Sequence, residues 1–119
     1  MSDPVPDRQW HFYLDDMIQF CNRVTAYTRD LDLSGFTNDA MCFDATVRNL
    51  ELIGEAATHV PAEIRASHPD IAWRRIIATR NQLVHAYLGI DNDTLWSIIE
   101  SDVPVLLSAL VEMKRRVQS

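Results

Sequence analysis

The sequence predicts an all-α protein, an antiparallel bundle of four long helices plus a short connecting helix, folded as one domain over residues 1–119. Three observations carry that expectation. Apolar side chains recur at three-four spacing over most of the chain, the period of amphipathic helices. Only 3 glycines and 5 prolines punctuate 119 residues, too few for the many tight turns of an all-β fold. Apolar residues make up 47% and charged residues 24%, enough for one core at this length without disulfide or metal staples.

Residues 1–6, acidic and broken by Pro4 and Pro6, are expected to be disordered. From 10 to 27 the apolar positions are Trp10, Tyr13/Leu14, Met17, Phe20/Cys21, Val24 and Tyr27, one helical stripe with Asp7 as its cap. Residues 34–38 read as a loop. A second helix spans 39–59, with Phe43, Val47, Leu50, Gly54 and Ala57 on one stripe. Pro61 and Pro69 bracket a short helical turn at 62–67. Asp70 then caps a third long helix reaching Tyr87, which Gly89 ends in a left-handed conformation. Asp91 or Asn92 caps the last helix, whose core face is Leu95, Ile99, Val103, Leu106, Leu110 and Met113. Pro104 is expected to kink or restart that helix, with Asp102 as the new cap.

Composition also limits function. Net charge is −6, which excludes a protein that coats nucleic acid by bulk charge. Cys21 and Cys42 form no C-x-x-C pair and read as small hydrophobes in a reducing compartment. The longest nearly apolar run, 103–111, is about half a membrane span. A cytoplasmic protein without membrane contact is expected. No His, Cys and carboxylate cluster has metal-ligand spacing and no glycine-rich phosphate loop occurs, so neither metal nor cofactor is expected.

The third long helix differs from a plain core helix. At about 100° per residue, Trp73, Ile76, Ile77, Leu83 and Val84 fall within roughly 60° of Arg80 and form the expected buried stripe. Arg80 stands in its middle, with Tyr87 almost directly above. Burying an unpaired arginine costs several kcal/mol by rough estimate, so Arg80 needs a carboxylate, a phosphate or an interface. Glu51 and Glu55 are the candidate partners, and such a pair can also orient a catalytic arginine. A second stripe, about 120° away, carries Arg74, Asn81 and His85. Asn81 and His85 stand one turn apart, where a hydrogen bond would select one imidazole tautomer. Between 65 and 87, four arginines against Asp70 leave +3, so with −6 overall the remainder carries −9. That local excess reads as one anion site; the plain alternative is that Arg65 and Arg75 are solvated.

The run from Arg80 through His85 to Tyr87 resembles the R-x4-H-x-Y motif of the HEPN superfamily, specifically its HepT-like ribonuclease toxins. Residues 48–56, RNLELIGEA, resemble that family's R-x-L-E-x-I-G-E-A helix. Ile71, Trp73, Ile76 and Ile77 resemble its I-x-W-x-x-I-I lead into the motif helix, and Asp91 with Trp96 the opening of its last helix. The resemblance implies a metal-independent endoribonuclease toxin acting as a homodimer. It also implies a partner, a nucleotidyltransferase antitoxin of the MNT type that transfers AMP to the motif tyrosine. Carried onto these positions, it makes Arg80 and His85 catalytic and Tyr87 the modified residue. Asn81, Arg74 and Glu55 are the supporting residues.

The residue types suit that chemistry. Metal-free RNA cleavage needs a base for the ribose 2′-hydroxyl and a cation for the charge gathering on phosphorus, and it leaves a 2′,3′-cyclic phosphate. Histidine and the planar arginine fork supply the two. Arg80 and His85 lie about 140° apart around one helix, so two copies facing across a two-fold axis would complete each other's site. Two other classes fit the same strip: a non-catalytic RNA- or nucleotide-binding module, and a structural dimer adaptor.

Overall fold

A computed structural model describes residues 6–85 and 90–118. The described chain is helical, without a strand: α1 (Pro6–Thr28), α2 (Leu33–Thr37), α3 (Ala40–Thr58), α4 (Ala62–Ala66), α5 (Trp73–His85), α6 (Asn92–Ser97), a π-helical turn (Ile98–Asp102) and α7 (Val103–Gln118). The all-α expectation is met. Pro6 already lies in α1; the rest of the start expected to be disordered falls outside the described residues.

α1 is the central rod, packed against α3 on one side and α7 on the other. Its predicted stripe supplies Trp10, Leu14, Met17, Cys21 and Val24 to the core, the last three fully buried. Tyr27, expected on the same stripe, is exposed, and Thr28 is buried there instead, its hydroxyl donating to the Val24 carbonyl at 2.8 Å. Each fully buried aliphatic side chain contributes roughly 1.5–3 kcal/mol, so this stripe and the facing residues of α3 and α7 carry much of the fold's stability.

Of residues 34–38, expected as a loop, 34–37 lie in the short helix α2 and Asn38 is its C-cap. The cause is local: the Asp32 carboxylate accepts from the Gly35 amide at 2.8 Å, capping the turn, and Phe36 is fully buried beneath it. Phe36 meets Phe43 and Trp96 at ring-centroid distances of 4.9 and 5.2 Å, which ties α2 to α3 and α6. Asp39 caps α3 by accepting from the Cys42 amide, and α3 ends at Thr58 with His59 as its C-cap, close to the expected span of 39–59. On its stripe Leu50, Gly54 and Ala57 are buried while Phe43 and Val47 are half-buried.

α5 begins at Trp73 rather than at an Asp70 cap. Pro69 and Asp70 instead belong to a turn whose end is fixed by the buried Ile71 and by the Trp73 indole N–H, which donates to the His68 carbonyl at 3.0 Å. α5 packs chiefly on α3, so only part of its apolar stripe is covered. Trp73 and Leu83 are buried, Ile76 and Ile77 half-buried, and Val84 is exposed.

Asp91 caps α6, accepting from the Thr94 amide at 2.7 Å, and that bond holds its carboxyl below the usual carboxylate range. The helix then runs on to Gln118. Pro104 neither restarts it nor receives Asp102 as a cap. The π-helical turn just before it widens the ladder where the proline ring would otherwise press on the carbonyl four residues back. Asp102 turns outward to Arg75 at 2.9 Å. The rod Asn92–Gln118 is long and apolar enough to cross a membrane by length and composition. One face of it buries Leu95, Trp96, Ile99, Val103, Leu110 and Met113 within the protein, with Leu106 half-buried.

Candidate active site

The site forms where α3 and α5 cross. Gly54 on α3 has no side chain, and the stem of Arg80 from α5 lies directly over it. The Arg80 side chain is only 26% exposed, and its guanidinium is held at both ends. One nitrogen donates to Glu55 Oε1 at 2.6 Å, and the other donates to Asn81 Oδ1 at 2.9 Å. Of the two carboxylates expected to compete for Arg80, Glu55 takes it. Glu51 instead accepts from Arg48 at 3.1 Å, one turn earlier on α3.

Around this pair lies a cleft of about 470 Å³ lined by Arg48, Glu51, Leu52, Glu55, Arg80, Leu83 and Val84. Its lining combines two arginines, two glutamates and three apolar residues, so it offers hydrogen-bond donors and acceptors at no net charge. The second Glu55 oxygen faces His59 Nε2 at 3.6 Å, and the His59 ring stacks on Tyr13 at 4.6 Å and 16°. Glu55 therefore joins Arg80 to a histidine outside the motif.

His85 is exposed at the last turn of α5, and among the described residues it has no hydrogen-bond partner. The expected Asn81–His85 bond is not formed; the Asn81 side-chain carbonyl accepts from Arg80 instead. Within one chain, then, Arg80 faces α3 while His85 stands in solvent on the same helix. Tyr87 lies outside the described residues. Arg74 is exposed without an ion pair or hydrogen bond among the described residues.

The positive zone seen in the sequence does not converge on one point. Arg65 donates to the Val60 carbonyl at 3.1 Å, Arg75 pairs with Asp102, and Arg80 with Glu55. The plain reading of Arg65 and Arg75 as solvated holds for Arg75, whose side chain is 70% exposed, while Arg65 is half-buried. Sequence reasoning named Glu51 but missed Arg48, which lines the cleft with Arg80, and His59, which lies on the far side of Glu55. Their spacing at 48, 51, 55 and 59 along one face of α3 was the available signal. Among the described residues no group of three or more His, Cys, Asp or Glu side chains is placed to hold a metal ion.

The geometry thus sets a half-buried arginine, fixed by a carboxylate and an amide, five residues before an exposed histidine on one helix. The profile of the Ribonuclease HepT-like family matches residues 17–113, and the chain belongs to that family. A Methanocaldococcus jannaschii protein provisionally named RNase MJ1380 is 38% identical over 92 residues, covering 77% of this chain and 84% of the relative. A Thermococcus cleftensis protein named "Probable ribonuclease HepT" is 32% identical over 103 residues, 87% of this chain and 94% of the relative. A third relative, from Caldanaerobacter subterraneus and provisionally named RNase TTE0752, is 30% identical over 104 residues, 87% and 93% of the two chains. No solved structure matches the chain significantly.

Proposed function

We propose that this chain is a metal-independent endoribonuclease, the toxin of a type VII-like toxin–antitoxin pair, working in the cytoplasm as a two-fold homodimer of helical bundles. The observation that carries the reading is Arg80, held ready by Glu55 and Asn81 beside a cleft, on the same helix as the solvent-facing His85. His85 takes the proton of a ribose 2′-hydroxyl. The 2′-oxygen attacks the adjacent phosphorus, the bond to the 5′-oxygen breaks, and that oxygen takes up a proton. A 2′,3′-cyclic phosphate and a 5′-hydroxyl remain. Arg80 offers its fork to the phosphorane oxygens, whose charge is greatest at the transition state.

Within one protomer the two groups do not face each other, which supports a site completed by Arg80 of one copy and His85 of its partner. The exposed Val84 beside the cleft is a side chain that such pairing would cover. Control follows from the motif tyrosine. AMP transferred to Tyr87 by an MNT-type nucleotidyltransferase adds a phosphate to the motif, seven residues after Arg80 in the sequence, and that phosphate competes for the guanidinium the RNA phosphate needs.

The test is cleavage of bulk RNA in the presence of a chelator by the wild type and by His85→Ala. Because His85 is exposed, its loss is expected to leave helicity and melting unchanged while abolishing cleavage. RNA retention without cleavage by the wild type would favour a binding module, and cleavage by His85→Ala at the wild-type rate would remove His85 from the mechanism.

A further inference from the structure

Gly54 stands in the interior of α3, where glycine costs about 1 kcal/mol relative to alanine. The surrounding geometry supplies a reason. A Cβ placed on Gly54 would overlap the Cβ of Arg80 and would lie 2.8 Å from its Cγ and 3.1 Å from the Ile76 carbonyl oxygen. Ordinary carbon contacts are about 3.5–4.0 Å. Two of these neighbours cannot swing aside. A Cβ moves only with its backbone, and the Ile76 oxygen is backbone. Any side chain at 54 must therefore push α5 away from α3 as a body.

We infer that Gly54 is a positioning residue for Arg80, seating the arginine stem while the next residue, Glu55, holds the guanidinium. This rests on the ribonuclease reading above. The two neighbours act on opposite ends of one side chain. Gly54 sets how close α5 lies, and Glu55 sets where the fork points at 2.6 Å. An outward shift of α5 by about 1 Å stretches the 2.6 Å contact to Glu55 beyond hydrogen-bond length, and displacements of that size cost up to about a hundredfold in rate. α5 packs chiefly on α3, with the exposed Arg75–Asp102 pair as a further tie among the described residues, so a push from α3 moves it outward.

The experiment takes Gly54→Ala through three measurements. Cleavage kinetics are expected to show kcat lowered at least about tenfold with KM changed less than about twofold, as for loss of a group acting in the transition state. Val24→Ala, in the α1 core and remote from α5, serves as the stability control and is expected to keep wild-type kcat below its melting temperature. NMR of the arginine side chains is expected to show the Arg80 guanidinium resonance, identified by its absence in Arg80→Gly, shifted or lost in Gly54→Ala. Finally, Arg80→Gly removes the overlapping Cβ, so adding Gly54→Ala to it is expected to lower melting far less than Gly54→Ala lowers the wild type.

Wild-type kcat in Gly54→Ala, a matching kcat loss in Val24→Ala, or additive melting shifts would each overturn the assignment. The melting cycle and the resonance are read without RNA. An inactive wild type with a non-additive cycle would refute the ribonuclease reading and leave the seat of Arg80 established.

Discussion

Truncating Arg80 to alanine separates what this side chain does for the fold from what it does for chemistry. The Cβ remains over Gly54, but two methylenes and the guanidinium are lost. With the side chain 26% exposed, the covered methylenes contribute about 1 kcal/mol at roughly 0.8 kcal/mol each when fully buried. Glu55 is 47% exposed, so the ion pair is screened and adds less than about 1 kcal/mol. Glu55 is resolvated after truncation, which avoids the larger penalty of a stranded buried charge. A net loss of about 1–2 kcal/mol in a 119-residue chain corresponds to a melting shift of about 4–8 °C. Arg80→Lys keeps most of the stem and the charge, so it is expected to melt within about 2 °C of the wild type while losing the two-ended fork. Both variants are expected to lose about a hundredfold or more in RNA cleavage, the scale of removing one preorganised donor. Thermal melts by circular dichroism and initial cleavage rates read the two effects. Wild-type melting of Arg80→Ala would refute the seating of the stem, and wild-type cleavage by Arg80→Lys would refute the need for the fork.

Other consequences are as direct. Burial pushes the Cys21 thiol up to about 12, so the unfolded chain releases its proton first, and stability is expected to fall by about 1.4 kcal/mol per pH unit from roughly pH 9 upward. Urea midpoints at pH 8, 10 and 11 are expected to fall more steeply for the wild type than for Cys21→Ala; equal slopes would contradict the burial. Tyr87→Phe is expected to keep RNA cleavage and cellular toxicity yet escape neutralisation by a co-expressed nucleotidyltransferase, while mass spectrometry finds AMP on the wild-type peptide carrying Tyr87. Full neutralisation of the phenylalanine variant, with unmodified Tyr87 in the wild type, would exclude that mode of control.

The helical class and most core stripes were legible because period and caps agree. Asp39, Asp91 and the stripe from Trp10 to Val24 all stand where their patterns place them. Departures have local causes. Residues 33–37 coil because one aspartate caps a turn over a buried phenylalanine, a contact with α3 and α6 that no window of sequence contains. Val84 is exposed because α5 has essentially one neighbour, and angular position on a helix says nothing about how many neighbours it has. In the site, Arg80 and its need for a carboxylate were legible from charge on an apolar stripe, and so were the two candidates. The choice of Glu55 over Glu51, and the role of Gly54, depend on the depth at which two helices cross. That is a property of packing between elements 25 residues apart. The expected Asn81–His85 bond is absent, and the Asn81 amide oxygen accepts from the charged Arg80 donor instead.

The central claim is that RNA is cut at a site shared by two copies, with Arg80 from one and His85 from the other. The most direct measurement co-expresses Arg80→Ala and His85→Ala under different tags, isolates the mixed dimer, and assays RNA cleavage with a chelator present. Each homodimer is expected to be inactive. The mixed dimer retains one intact pairing of Arg80 with His85, so it is expected to recover up to about half of wild-type activity and to leave 2′,3′-cyclic phosphate ends. An inactive mixed dimer, formed and folded, would contradict a site shared across the two-fold axis.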